Sequence, residues 1–190
     1  MGTHLRQYPR DATPMSTQRR TFGRPKTPSP VSHRIVVEMA RMEVCDDPSA
    51  TLVTFGLGSC VAVLVYDPRR RVAGMIHYML PASETSPERA QQTPAMFGDV
   101  GIPLLFERMY AKGCRKEDLV VKAAGGGQLF GDKGTFDIGT RNCDVLRTFL
   151  QKNDLVLTRE DTGGTQSRTA QMLVGSGEVR IRSKGEEVVL

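Results

Sequence analysis

Two apolar runs with a turn between them constrain this chain more than any other feature. Val61–Tyr66 and Val72–Leu80 flank Asp67-Pro68-Arg69-Arg70. Asp at the first and Pro at the second position suit a type I turn. β-rich sequence on both sides then predicts an antiparallel hairpin. Centred on the Pro68–Arg69 bond, it would pair Tyr66 with Arg71, Leu64 with Ala73 and Cys60 with His77. Directly opposite side chains share a face, with Cβ atoms roughly 4.5–5.5 Å apart. A one-residue slip would turn His77 to the other face.

The rest of the chain reads as further short strands with two helices. Arg34–Val44 is one strand or two, and Thr51–Phe55 is a strand ending at Gly56. Pro81–Thr93 is a polar loop. Apolar spacing predicts a helix over about 94–112, stopping at Gly113, with Pro103 marking its start or a kink. Asp118–Ala124 is a strand, followed by the glycine-rich GGGQLFGDKGTFDIG. A second helix over about 140–152 turns Val145, Leu146, Phe149 and Leu150 inward. Asp154–Thr158, Arg168–Val174 and Glu178–Arg182 are strands, the last two joined by a Gly-Ser-Gly turn. No internal repeat is visible. The expected fold class is α/β: a single, strand-rich domain over 34–190.

Charge separates the N-terminal segment from this domain. Residues 1–33 hold Arg6, Arg10, Arg19, Arg20, Arg24 and Lys26 against only Asp11, which accounts for the whole net charge of +5. The remainder is neutral, so nothing points to a nucleic-acid-binding domain. The segment is rich in Pro, Ser, Thr and Arg, has little to bury, and is expected to be a disordered tail. It is either a bare extension, with Met15 an alternative start, or an arm for an anionic surface or partner. No apolar run reaches the length of a membrane span and no secretory signal is visible. The cytoplasm is the expected compartment, with the 4 cysteines reduced.

Cys60 follows a Gly56-Leu57-Gly58-Ser59 bend, and His77 is the only histidine well inside the domain. A free thiol is mostly protonated at neutral pH. A neighbouring imidazole can take that proton and later return it to a leaving group. The bend can leave N–H groups near Gly58 and Ser59 free to hold an oxyanion. Thr54 could orient the imidazole through its hydroxyl or backbone carbonyl. The bland alternative is a buried, inert cysteine and a structural histidine. Cys45, Cys114 and Cys143 lack such surroundings and read as structural.

TFGLGSC, the apolar strand and GMIHYMLP together resemble the signature of the CheD family of chemoreceptor glutamine deamidases. VKAAGGGQLF, IGTRNCDVLRTFL and EDTGGTQSR extend the resemblance over about 34–183. It implies a layered α/β sandwich with mixed β-sheet. It also implies a catalytic triad: Cys60 as nucleophile, His77 as base and Thr54 as the orienting group. The implied reaction is conversion of receptor glutamine to glutamate with ammonia release, without metal or organic cofactor. The implied partners are chemoreceptor cytoplasmic domains and a CheC-type phosphatase. A non-catalytic module that docks and regulates that phosphatase is the alternative. A generic cysteine protease or amidase is a third reading.

Several weaker signals are set aside. GLGSCV lacks the third glycine and the following helix of a dinucleotide-binding loop. Gly125–Gly127 with Asp132-Lys133-Gly134-Thr135 lacks the GxxxxGK[ST] pattern and reads as a loop near the cleft. Asn142 is expected to cap the second helix rather than contact the cleft. Asp161 and Arg168 could pair on the surface or face substrate. A zinc site at Cys60 and His77 would lack two ligands.

Overall fold

The computed structural model describes residues 33–128 and 137–190. Residues 1–32 of the expected tail and the Asp132–Thr135 stretch lie outside the described residues, while His33, expected to end the tail, opens the first strand. In chain order come β1 (His33–Val36), β2 (Arg41–Cys45), β3 (Ala50–Leu57), β4 (Val61–Asp67) and β5 (Val72–Tyr78). Then follow α1 (Pro87–Gln92), α2 (Gly98–Ala111), β6 (Val120–Gly125) and α3 (Ile138–Lys152). The chain closes with β7 (Leu157–Thr162), β8 (Arg168–Leu173), β9 (Val179–Ser183) and β10 (Glu186–Val189).

These strands form two five-stranded sheets, ordered β1-β3-β8-β9-β10 and β2-β5-β4-β6-β7. Both are mixed: β1 runs parallel to β3, and β6 to β7, while the other pairs are antiparallel. The sheets pack face to face through Leu52, Leu57, Leu64, Met75, Met172 and Ile181. The other face of the β4–β5 sheet is covered by Ile102, Leu105 and Met109 of α2 and by Leu146 and Leu150 of α3. The result is a three-layered α/β sandwich, as the resemblance implied. β4 and β5 are buried at every residue because they lie between the other two layers.

The hairpin register differs from the expected one by two residues. Val61 pairs with Tyr78, Ala62 with His77 and Tyr66 with Ala73. Asp67 belongs to the strand, and its carboxylate accepts from the N–H groups of Arg69 and Arg70 at 2.9 and 3.0 Å. That stabilises a four-residue loop, closed by Arg71 in the left-handed region at φ 56°. A shift of two preserves side-chain parity, so Cys60 and His77 keep the same face. They are diagonal neighbours rather than a direct pair.

Three other boundaries moved. The 34–44 segment splits into two strands in different sheets, across a turn with Ala40 at φ 58°. β3 does not stop at Gly56 but runs to Leu57 through a bulge. β7 starts at Leu157 because residues 154–156 are used in leaving α3, with the Leu155 N–H still bonded to the Leu150 C=O at 2.9 Å. Two elements depart from the expected layout: α1 lies inside the Pro81–Thr93 segment expected to be a loop, and the chain ends in an extra strand, β10. It pairs with β9 across Lys184-Gly185, both at positive φ, which is the backbone of a tight hairpin turn.

Candidate active site

Thr54 and His77 meet across the layer between the two sheets. Leu52 packs in that layer, and Thr54, two residues on along β3, continues the same face. In β5, Ala73 and Met75 line the same layer, and His77 continues that period. The Thr54 hydroxyl lies 2.8 Å from His77 Nδ1, and both side chains are buried, at 0% and 1% exposure. The bulge after Thr54 sets Phe55 and Gly56, the latter at φ 70°, opposite the single residue Thr169, one residue more than a regular ladder holds, before Leu57 turns inward again. Without that extra residue, Thr54 and Leu57 could not both face the core.

His77 has a second nitrogen. Nε2 is buried and has no hydrogen-bond partner among the described residues. Burial pushes the imidazole pKa down from 6.5 to about 4, so the ring is neutral at physiological pH. A neutral ring has one N–H and one lone pair. If Nδ1–H donates to Thr54 Oγ1, the lone pair stands on Nε2.

Cys60 lies one residue before β4, on the face of Ala62, the residue directly opposite His77. Diagonal neighbours across an antiparallel ladder remain within reach of longer side chains. The thiol is partly buried, and burial raises its pKa. The resting pair is therefore a neutral thiol and a neutral imidazole.

The backbone around Cys60 is held by glycine-rich loops. Gly127 N–H donates to Gly58 C=O at 2.7 Å, and Gly126 N–H to Cys60 C=O at 2.8 Å. Gly163 N–H in turn holds Gly125 C=O at 2.8 Å. A Cβ on Gly125 would lie 2.2 Å from the Cys60 carbonyl oxygen, so close packing requires glycine there. Gly58 N–H is itself engaged, donating to Gly56 C=O at 2.9 Å. The N–H groups of Ser59 and Cys60 donate to no other described residue.

The remaining candidates fall into place. Burial raises the thiol pKa of Cys114, to about 11, and that of Cys143. Arg168 is buried beside Leu57 of β3, and its Nη2 meets Asp161 at 2.8 Å. Asn142 is not the helix cap: Asp137 is, accepting from the Thr140 N–H at 3.0 Å. Asn142 is fully buried and donates to the carbonyls of Ser59 and Met79, each at 2.9 Å. Its position inside α3 gave no sequence signal for that contact. Among the described residues no three His, Cys, Asp or Glu side chains are grouped to hold a metal ion. No described helix is long and apolar enough to cross a membrane.

The family model described as CheD chemotactic sensory transduction matches residues 79–183. An Anaeromyxobacter dehalogenans protein named "Probable chemoreceptor glutamine deamidase CheD 2" is 49% identical over 154 residues, 81% of this chain and 96% of that one. The chain belongs to the CheD family. A Syntrophus aciditrophicus CheD is 40% identical over 80% of this chain and 94% of its own. A Solibacter usitatus CheD is 40% identical over 81% and 91%. Both carry the name "Probable chemoreceptor glutamine deamidase". The CheD matches span nearly the full length of these relatives but leave about a fifth of this chain outside.

Proposed function

We propose that this CheD-family chain is a protein-glutamine deamidase acting on the cytoplasmic domains of chemoreceptors. Cys60 is its nucleophile, His77 its general acid and base, and Thr54 the group that orients the imidazole. The observation that carries the reading is the state of His77. One nitrogen is held by a threonine hydroxyl, the other is buried and unengaged, and the nucleophile candidate shares its face.

The steps follow from those positions. His77 Nε2 takes the thiol proton as Cys60 Sγ attacks the carboxamide carbon of a substrate glutamine. The carbonyl oxygen becomes an oxyanion and accepts from the N–H groups of Ser59 and Cys60, which leaves Gly58 a structural part. The intermediate collapses with cleavage of the C–N bond, and the His77 proton goes to the departing nitrogen as ammonia. A thioester remains on Cys60. Water attacks it while His77 accepts a proton, and collapse returns that proton to sulfur and frees glutamate. Because thiol and imidazole start neutral, proton transfer accompanies attack rather than preceding it.

Ammonia release from a purified receptor fragment tests the assignment, with wild type, Cys60→Ala and His77→Ala compared. Release by wild type alone is expected. Equal release by Cys60→Ala would overturn it. Absence of release from several receptors, with binding to a CheC-type phosphatase intact, would favour the regulatory docking role. That binding is expected to survive Cys60→Ala.

A further inference from the structure

Asn142 sits in the second turn of α3 and joins two segments distant in sequence. Its Nδ2 donates to Ser59 C=O and to Met79 C=O. Two carbonyls face that end of the amide, so it must be the NH2 end; an acceptor there would meet only acceptors. One carbonyl lies immediately before Cys60 and the other two residues after His77. The Tyr78 hydroxyl donates to the Asn142 main-chain carbonyl at 2.6 Å, fixing this turn of the helix to the histidine's own strand.

We propose that Asn142 is a positioning residue for the deamidation, setting the Ser59–Cys60 peptide plane so that the Cys60 N–H faces the developing oxyanion. A trans peptide is planar, and its C=O and N–H point in opposite directions. Anchoring Ser59 C=O on α3 therefore directs Cys60 N–H away from α3. The preceding peptide is fixed in the same way, because Gly127 holds Gly58 C=O and so directs Ser59 N–H. Asn142 is the only donor to Ser59 C=O among the described residues. The plane in a Gly-Leu-Gly-Ser bend has little else to stop it rotating. The Met79 bond keeps the end of the histidine strand at a fixed distance from the same loop.

This inference rests on the deamidase reading, so its test includes a readout that does not need turnover. A short peptide carrying the aldehyde analogue of a glutamine side chain adds to the thiol. The S–C bond forms, the S–H proton ends on the carbonyl oxygen, and that oxygen sits where the oxyanion would. Iodoacetamide alkylates the same sulfur, displacing iodide, without building such an oxygen. Asn142→Ala and Asn142→Asp both remove the two donors. Tyr78→Phe loosens the same helix turn but keeps the side-chain amide.

In the folded Asn142 variants, kcat should fall by up to about a hundredfold, the lower end of the loss seen when an oxyanion donor is removed. KM and the pH limbs should stay within about threefold and half a unit of wild type. Aldehyde affinity should drop at least tenfold while the alkylation rate of Cys60 changes less than threefold. Tyr78→Phe should lower stability and reduce kcat by less than tenfold, because the side-chain amide still holds both carbonyls. Equal losses in aldehyde binding and alkylation, or a kcat within threefold of wild type, would overturn the positioning role. If one variant does not fold, the other carries the test, and denaturation curves give the folded fraction of each. If the Asn142 variants show the aldehyde split but wild type releases no ammonia, the deamidase reading falls and only the orientation of the Cys60 N–H by Asn142 stands.

Discussion

Acid should destabilise this protein through His77 before its carboxylates titrate. The ring is held neutral by burial, with its pKa down from 6.5 to about 4. In the unfolded chain it protonates as pH falls through 6.5, while in the fold it stays neutral until about 4. A depressed base therefore leaves stability intact above 6.5 and removes it as pH drops from there to 4. Between about pH 7.5 and pH 5 the loss is about 2 kcal/mol, and it reaches roughly 3 kcal/mol near pH 4, at about 1.36 kcal/mol per pH unit. The assay is urea unfolding of wild type and His77→Gln at matched pH values. Asp46, Asp47 and Asp137 have carboxyl pKa values lowered by hydrogen bonds and also weaken the fold in acid, but equally in both proteins. The wild-type minus variant difference should shrink by about 2 kcal/mol at pH 5. A change under about half a kcal/mol would refute the reasoning, because it would mean the ring protonates freely inside the fold. The same shift places the acid limb of kcat/KM near about pH 4 rather than 6.5.

Other substitutions probe the supports of the site. Thr54→Val removes the hydroxyl from His77 Nδ1 without changing volume much, and should lower kcat by about ten- to a hundredfold. Thr54→Ser should recover most of it, and steady-state kinetics decide. Gly125→Ala forces a Cβ against the Cys60 carbonyl at φ 109°, and should cost about 2 kcal/mol or more in chemical unfolding. Unchanged stability there would contradict the close packing. Asp161→Ala leaves the Arg168 guanidinium buried without its carboxylate and should cost about 3 kcal/mol by the same assay.

The sequence exposed the hairpin but not its register. Asp67-Pro68 marks a turn, yet whether Asp67 closes the strand or opens the loop depends on its carboxylate capping two N–H groups. Face assignment survived because the error was two residues and pleat parity has period two. The Thr54–His77 contact joins different sheets, so no local spacing encodes it. The Thr54 hydroxyl nevertheless lies 2.8 Å from His77 Nδ1. Asn142 is polar and near a helix start, which is how a cap looks in sequence. Asp137, three residues before Thr140, fills that role and frees Asn142 to reach across. β10 has the composition EEVV, exposed at all four positions, and only the Lys184-Gly185 turn signals it.

The proposed reaction replaces a side-chain amide with a carboxylate through a thioester on Cys60. Mass mapping of a receptor fragment treated in oxygen-18 water tests it most directly. Glutamine residues are expected to become glutamate carrying one heavy oxygen, with the peptide backbone intact and no conversion by Cys60→Ala. Cleavage of the backbone, or conversion that persists without the Cys60 thiol, would contradict it.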